Sequence, residues 1–372
     1  MKFTIITSVP HIIYSSSYLS YAPYIREMNI WIKYVDEVVL LAPISDQKKS
    51  EIDIGYDHGN IRFIEIDKFD ILTFKSLFFT LFKIPRIALS IYKVMKNADH
   101  IHFRCPSNVG LLACFIQILF PNKFKTAKYA GNWDPKVKNP WSYKLQKYIL
   151  NNTLLTKNMQ VLVYGNWKNM SKNIKPFFTA SYFESEKKDV ILRDFSNGIK
   201  IIFVGTLSSG KRPFYAIQLI EELLDNGLKV ELLFFGDGNQ RKILEDYILD
   251  NNLFEKIFIK GNQDAETIKK AYQESHFVIL PSQSEGWPKV IAEGMFWGCV
   301  PIATNVSCVL NMLDNGNRGL ILELNLQNDN QNIKKLIQDY NRYNRMSKEA
   351  LNWSRKYTLD YFEQEIKLLL QP

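Results

Sequence analysis

Short apolar runs alternate with amphipathic stretches of helical period along most of the chain. In the first half, apolar runs at 2–7, 37–42, 61–66, 99–103, 125–130 and 160–164 predict strands, and 24–34 and 107–119 predict helices between them. The stretch 181–197 is polar and charged, with Glu184-Ser185-Glu186-Lys187-Lys188-Asp189 inside it, and predicts an interdomain linker. The alternation then restarts, with strands at 199–204, 229–235, 256–259, 276–280 and 299–303 and helices at 213–225, 239–250, 265–273 and 288–297. Pro213 just inside one helix and Gly227 just past it mark its bounds. The tail 346–370 is amphipathic through Trp353, Tyr357, Leu359, Phe362, Ile366 and Leu369. Alternation of this kind predicts parallel sheets covered by helices. Two runs of it predict an α/β protein of two Rossmann-like domains, 1–185 and 195–352, facing a central cleft. Ligands would meet the carboxyl ends of the strands.

A length of 372 residues suits two domains, each able to bury its own core. Four cysteines, none in a CxxC or Cys/His spacing, exclude a disulfide framework and give no zinc signature. Met1-Lys2 runs straight into the first strand pattern, so no secretory leader is expected. The longest uncharged apolar stretch, 109–120, is 12 residues, short of the ~20 a spanning helix needs. A cytoplasmic protein is expected.

The net charge of +9 is regional: residues 71–150 hold thirteen Lys or Arg and only two acids, Asp99 and Asp134. Within it, 71–97 carries Lys75, Lys83, Arg86, Lys93 and Lys96 among Phe, Leu and Ile, with no acid. That suits a basic amphipathic surface on anionic lipid at the inner face of a cell membrane. It suits equally a core-packed helix pair with a solvated lysine face, broken at Pro85. No nucleic-acid motif accompanies the charge, and no nucleic-acid partner is expected.

The densest chemical signal runs from Leu280 to Ala303, where a strand enters a loop, Pro288 opens a helix and a second strand follows. Glu285 stands in the loop and Glu293 inside the helix, with seven residues between them. Amides at a helix start suit phosphate or sugar oxygens. Glu293 is the odder carboxylate, since its helix is otherwise apolar and burial costs several kcal/mol unless the group is bonded. Ribose hydroxyls would satisfy it, as would backbone amides or a basic neighbour. Upstream, Gly205-Thr206-Leu207-Ser208-Ser209-Gly210-Lys211 satisfies Gly-x4-Gly-Lys, the opening of a phosphate-binding loop. Arg212 stands where that loop needs Ser or Thr for magnesium, and Pro213 follows, which argues against a nucleoside triphosphatase. No Asp-x-Asp and no Gly-x-Gly-x-x-Gly occur.

The segment Leu280-Pro281-Ser282 with Ser284-Glu285-Gly286-Trp287-Pro288-Lys289, Glu293 and Gly298-Cys299-Val300-Pro301 resembles the signature of family 4 retaining glycosyltransferases of the GT-B fold. Val204-Gly205-Thr206-Leu207 through Lys211, Phe235-Gly236-Asp237-Gly238 and Phe258-Ile259-Lys260-Gly261 extend the likeness over about 199–320. The resemblance implies transfer of a sugar from a UDP- or GDP-linked donor, without metal or other cofactor. Glu285 would then bond donor-sugar hydroxyls and Glu293 the ribose. Ser282, Ser284, Pro288 and the amides of Gly286, Trp287 and Lys289 would border the donor with Gly205, Thr206, Gly236, Asp237 and Gly261. Lys211 would stabilise the diphosphate as it leaves. The family's usual Arg after the first glycine is Thr206 here, and Arg212 is the replacement expected.

The first half would hold the acceptor, implied by similar bacterial sequences to be a glycan or lipid-linked glycan of capsule, exopolysaccharide or lipopolysaccharide. Arg104 takes the second His position of a His-x-His strand end, and suits an anionic group or an ion pair within the lobe. Ala130 stands where relatives place a donor-contacting His, leaving Asn132, Trp133 and Asp134 as substitutes, with Trp133 equally a core residue. His11 is a polar candidate at the cleft or a turn residue. The helix 353–370 is expected to return to the first lobe, as in relatives. A non-catalytic sugar-nucleotide or polysaccharide-binding protein is the alternative that Thr206 and Ala130 leave open.

Overall fold

The computed structural model describes residues 1–15, 17–50, 53–68, 74–190 and 193–371, with residues 74–82 described in their backbone alone. The chain forms two compact units, 1–178 with 362–372, and 179–361.

The first unit runs β1 (Lys2–Ile6), β2 (Ile12–Tyr14), β3 (Ser17–Tyr21), α1 (Ala22–Ile32), β4 (Glu37–Ala42), β5 (Asp53–Gly55), β6 (Ile61–Glu65), α2 (Phe74–Lys96), β7 (His100–Cys105), α3 (Asn108–Ile116), β8 (Phe124–Tyr129), α4 (Trp141–Leu150), β9 (Met159–Tyr164) and β10 (Ile174–Phe177). Seven strands make a parallel sheet in the order β10-β9-β8-β7-β1-β4-β6. Strands such as β4 read as unbroken apolar runs because both sheet faces are covered: Val38, Leu40 and Leu41 are fully buried. The order reverses between β1 and β7, the switch point at which open sheets receive ligands.

Strands β2, β3 and β5 form a small antiparallel sheet that the sequence pattern does not mark. They are three to five residues long, and β2 (Ile12-Ile13-Tyr14) is too short and too exposed to read as a buried strand, while β3 and β5 carry no apolar run. Helix α2 is one helix through Pro85, not a pair broken there. Pro85 is exposed, and beyond it Ile87, Ile91, Val94 and Met95 keep one face of the helix in the core. Of the basic amphipathic stretch, 71–73 lies outside the described residues, as do the side chains up to 82, Lys75 included. Among the described residues no helix is long and apolar enough to cross a membrane.

The second unit runs β11 (Ile199–Val204), α5 (Pro213–Asp225), β12 (Val230–Phe235), α6 (Arg241–Asp250), β13 (Ile257–Ile259), α7 (Ala265–Glu274), β14 (Phe277–Leu280), α8 (Lys289–Phe296), β15 (Val300–Thr304), α9 (Val309–Met312), β16 (Leu320–Leu322), α10 (Leu326–Gln338) and α11 (Tyr340–Ser354). Its six strands are parallel in the order β13-β12-β11-β14-β15-β16, reversing between β11 and β14. Ile201, Phe203, Leu232, Phe234, Phe277 and Ile279 are fully buried at its centre. The 181–197 stretch is tied into this unit, since the Arg193 guanidinium donates to the carbonyls of Gln273, Ser275 and Trp297.

The helix expected over 353–370 is two: α11 ends at Ser354, and α12 (Leu359–Leu370) starts afresh with the Thr358 hydroxyl accepting the Tyr361 N–H. From Phe362 onward α12 belongs to the first unit, where Phe362 meets Phe177 and Phe178 at 5.4 and 5.7 Å.

Candidate active site

At the switch point of the second sheet, the loops leaving β11 and β14 are tied to each other. Gln283 N–H donates to the Gly210 carbonyl at 2.8 Å, and the Arg212 guanidinium reaches the Pro281 carbonyl at 3.3 Å. Across this join Lys211 Nζ meets Glu285 Oε1 at 2.5 Å, with the two side chains 30% and 9% exposed. The two residues expected to do the chemistry are therefore partners in the ligand-free protein. Arg212 sits in the left-handed region (φ 50°) as the residue before α5. The Lys211 amide closes a turn on the Ser208 carbonyl, so 205–212 curls over the strand end.

The glycines carry this geometry. Gly205 N–H donates to the Phe235 carbonyl and Gly236 N–H to the Gly261 carbonyl, stepping across the ends of β11, β12 and β13. Gly236 has φ +141°, and a Cβ there would lie 2.0 Å from the Gly205 oxygen. A Cβ on Gly238 would lie 2.4 Å from the Leu207 oxygen, a requirement visible in the Gly-Asp-Gly run but not singled out by sequence reasoning. Thr206 is exposed at the rim. Asp237 turns aside, accepting from the Gly238 N–H and the Arg241 guanidinium, which hold its carboxyl below the usual range.

The 281–289 loop is held by residues that the motif does not contain. Thr304 Oγ1 donates to the Ser282 carbonyl at 2.6 Å and Ser307 Oγ to the Gly286 carbonyl at 2.7 Å. The Ser282 hydroxyl itself is fully buried and without a hydrogen-bond partner among the described residues, whereas Ser284 is exposed. Helix α8 begins at Lys289, with Pro288 as its cap residue and no side-chain cap, so Pro288 precedes the helix and does not open it. Trp287 packs against Trp353 and Tyr357, at 6.1 and 5.7 Å between ring centres, which fixes the loop's far end.

Glu293, one turn into α8, does not share partners with Glu285. Its carboxylate accepts from Ser181 Oγ at 2.5 Å and from Tyr272 Oη at 3.3 Å. Burial and the nearby Glu293 charge push the Tyr272 phenol well above its ordinary pKa, so it stays a donor. The buried-carboxylate problem is thus met by two hydroxyls, neither of which the sequence pattern marks.

In the first unit His11 and Arg104 flank the β1/β7 switch point, and Tyr24 is common to both. Its ring lies edge-on to His11 at 6.2 Å and under the Arg104 guanidinium at 5.3 Å. His11 is fully buried, and its Nε2 is 2.8 Å from Tyr56 Oη. Desolvation drags its pKa from 6.5 to about 4, so the ring is neutral. Arg104 forms no salt bridge among the described residues. Beside it Lys128, fully buried, pairs with Glu27 at 2.6 Å. Asn132, Trp133 and Asp134 follow β8, but their side chains serve the protein. Asn132 Oδ1 accepts the Asp134 N–H, and Asp134 Oδ1 accepts the Lys136 N–H, each at 2.9 Å. Trp133 is 6% exposed and edge-on to Tyr129, so most of its ring is packed into the core. Among the described residues no three His, Cys, Asp or Glu are grouped as a metal site.

An ammonium, a guanidinium and a carboxylate converge on a switch point beside an uncapped helix start. Such a set suits a ligand that carries both anionic oxygens and hydroxyls. Residues 184–353 match the family of glycosyl transferases group 1, and the second unit is a glycosyltransferase domain of that family. Among individual proteins, the chain is 27% identical over 299 residues to Protein CapJ of Staphylococcus aureus, covering 74% of this chain and 72% of that one. It is 28% identical over 198 residues to the UDP-Gal:alpha-D-GlcNAc-diphosphoundecaprenol alpha-1,3-galactosyltransferase of Escherichia coli, covering 52% of this chain and 49% of that one. The fold of two parallel-sheet units is the GT-B architecture. It matches Anabaena Alr3699/HepE, solved in complex with UDP, with TM-score 0.69 and 13% identity over 100% of this chain and 99% of that one.

Proposed function

We propose that this glycosyltransferase moves a sugar from a nucleotide diphosphate sugar, UDP-linked in the first instance, to a glycan hydroxyl with retention of configuration and without a metal ion. The observation that carries the reading is the Lys211–Glu285 pair, 2.5 Å apart across the β11/β14 switch point. On donor binding the diphosphate takes Lys211 and Arg212, whose cations stabilise the charge developing on the leaving group. Glu285, released from Lys211, accepts donor-sugar hydroxyls, and the amides at the start of α8 face the phosphates. Ribose hydroxyls would join Ser181 and Tyr272 at Glu293. The two cations supply the neutralisation that metal-dependent transferases take from an ion. UDP is the nucleotide in the HepE structure and in the name of the E. coli relative.

That relative is named for a diphosphoundecaprenol-linked acceptor, which supports a lipid-linked glycan as acceptor, used in capsule, exopolysaccharide or lipopolysaccharide assembly. Arg104, stacked on Tyr24, would take an anionic acceptor group. A place at the inner face of the membrane is supported by the 71–150 charge, with Lys93 and Lys96 exposed near Leu89 and Tyr92, which are 53% and 36% exposed.

Thermal melting with UDP, GDP, dTDP, ADP and ATP, each in magnesium and in EDTA, tests the reading. A nucleotide at ~100 times its dissociation constant adds ~2.7 kcal/mol. Stabilisation by UDP in EDTA is expected. A response confined to ATP with magnesium would overturn it.

A further inference from the structure

The first unit contains a groove that the transfer chemistry does not use. The connection from β9 to β10 carries no helix among the described residues. Between it and α4 an open cavity of ≈ 670 Å³ remains, within the ~300–1,000 Å³ of ligand sites. Its thirteen lining residues include Lys144, Lys147 and Lys168 and not one Asp or Glu. None of the three lysines forms a salt bridge among the described residues. Lys147 lies over the Tyr129 and Trp133 rings at 5.6 and 5.7 Å and donates to the Asp134 carbonyl at 3.3 Å. An ammonium has three donors, so this half-buried cation still has two to offer. Desolvation lowers its pKa to about 8, a cost that an anion beside it would offset. At the rim Tyr148 is 65% and Leu154 78% exposed, apolar surface on which the C–H face of a pyranose can lie.

We propose that this groove holds acidic sugar residues of the acceptor glycan. The inference names the acceptor's chemistry and rests on the glycosyltransferase reading. Concavity favours a ligand that enters over a bilayer that must be met on a flat or convex face. Three lining cations, with only the Asp134 carboxylate among the described residues close enough to act on one of them, Lys147, select an anionic ligand over a neutral one.

The test is titration of the intact protein, without donor, with hexagalacturonate, maltohexaose and a six-nucleotide oligo-dT. Hexagalacturonate is expected to bind, more weakly at higher salt. Lys144→Ala/Lys168→Ala, at two exposed positions, is expected to cost at least tenfold in its affinity, and Tyr148→Ala severalfold. The UDP melting shift should be the same in these variants as in the unaltered protein, so loss of donor binding and loss of groove binding read separately. No hexagalacturonate binding, equal binding of maltohexaose or oligo-dT, or affinity unchanged by the lysine substitutions would each overturn the proposal.

Discussion

Lys211 and Glu285 neutralise each other at 2.5 Å while no donor is bound, which keeps a carboxylate only 9% exposed from standing alone. If the diphosphate takes the lysine, Lys211→Ala should lower transfer by about 10²–10³-fold; Glu285→Gln should lower transfer with little effect on UDP affinity. Glu293→Ala should weaken UDP by ~1–3 kcal/mol if the ribose joins Ser181 and Tyr272 there. Calorimetric titration checks this, and unchanged affinity would assign Glu293 to packing alone. Backbone demands give a sharper contrast. Gly236→Ala must move the Gly205 carbonyl from 2.0 Å and should cost more than ~2 kcal/mol, read as a fall in the denaturation midpoint. Gly210→Ala meets nothing within 4 Å and should change stability by less than ~1 kcal/mol.

Among elements, the parallel strands were legible because both faces are buried and their sequences stay apolar, as in Phe277–Leu280. The short strands 12–14, 17–21 and 53–55 were not, since three to five partly exposed residues are too few to show a period. Glu285 and Lys211 could be read from motif spacing. The hydroxyls of Ser181 and Tyr272 on Glu293 could not, because those contacts join residues 112 and 21 positions apart. Trp133, a large aromatic at a strand end, reads equally as a plate or as core, and the structure packs it into the core. The buried Lys128–Glu27 pair joins β8 to α1 and was equally invisible. Lys128→Met should cost ~3–5 kcal/mol by removing the ammonium that balances the buried Glu27 carboxylate. Lys128→Met/Glu27→Leu should recover most of that in urea denaturation, and a double variant as unstable as the single would contradict the account.

For the molecule as a whole, acid sensitivity should be carried mainly by the first unit, where burial lowers His11, His100 and His102, with His276 of the second unit shifted the same way. Burial lowers His11 and His100 from 6.5 to about 4, so in the unfolded chain they bind protons that the folded chain refuses. Stability should therefore fall as pH drops from ~6.5 towards 4, by of order 3 kcal/mol per histidine at the limit. Urea midpoints measured across that window check this, and His11→Gln/His100→Gln should flatten the slope. The second unit holds the claim that matters most. Its sheet has two ends, the glycine-rich carboxyl end and an amino end with a ≈ 360 Å³ cavity bordered by Arg193, Lys200, Lys229 and His276. Hydrogen–deuterium exchange of the intact chain with saturating UDP in EDTA decides between them. The account predicts protection in 205–212, 235–241 and 282–293. Protection confined to 193–200, 229–231 and 273–276, or none at all, would contradict it.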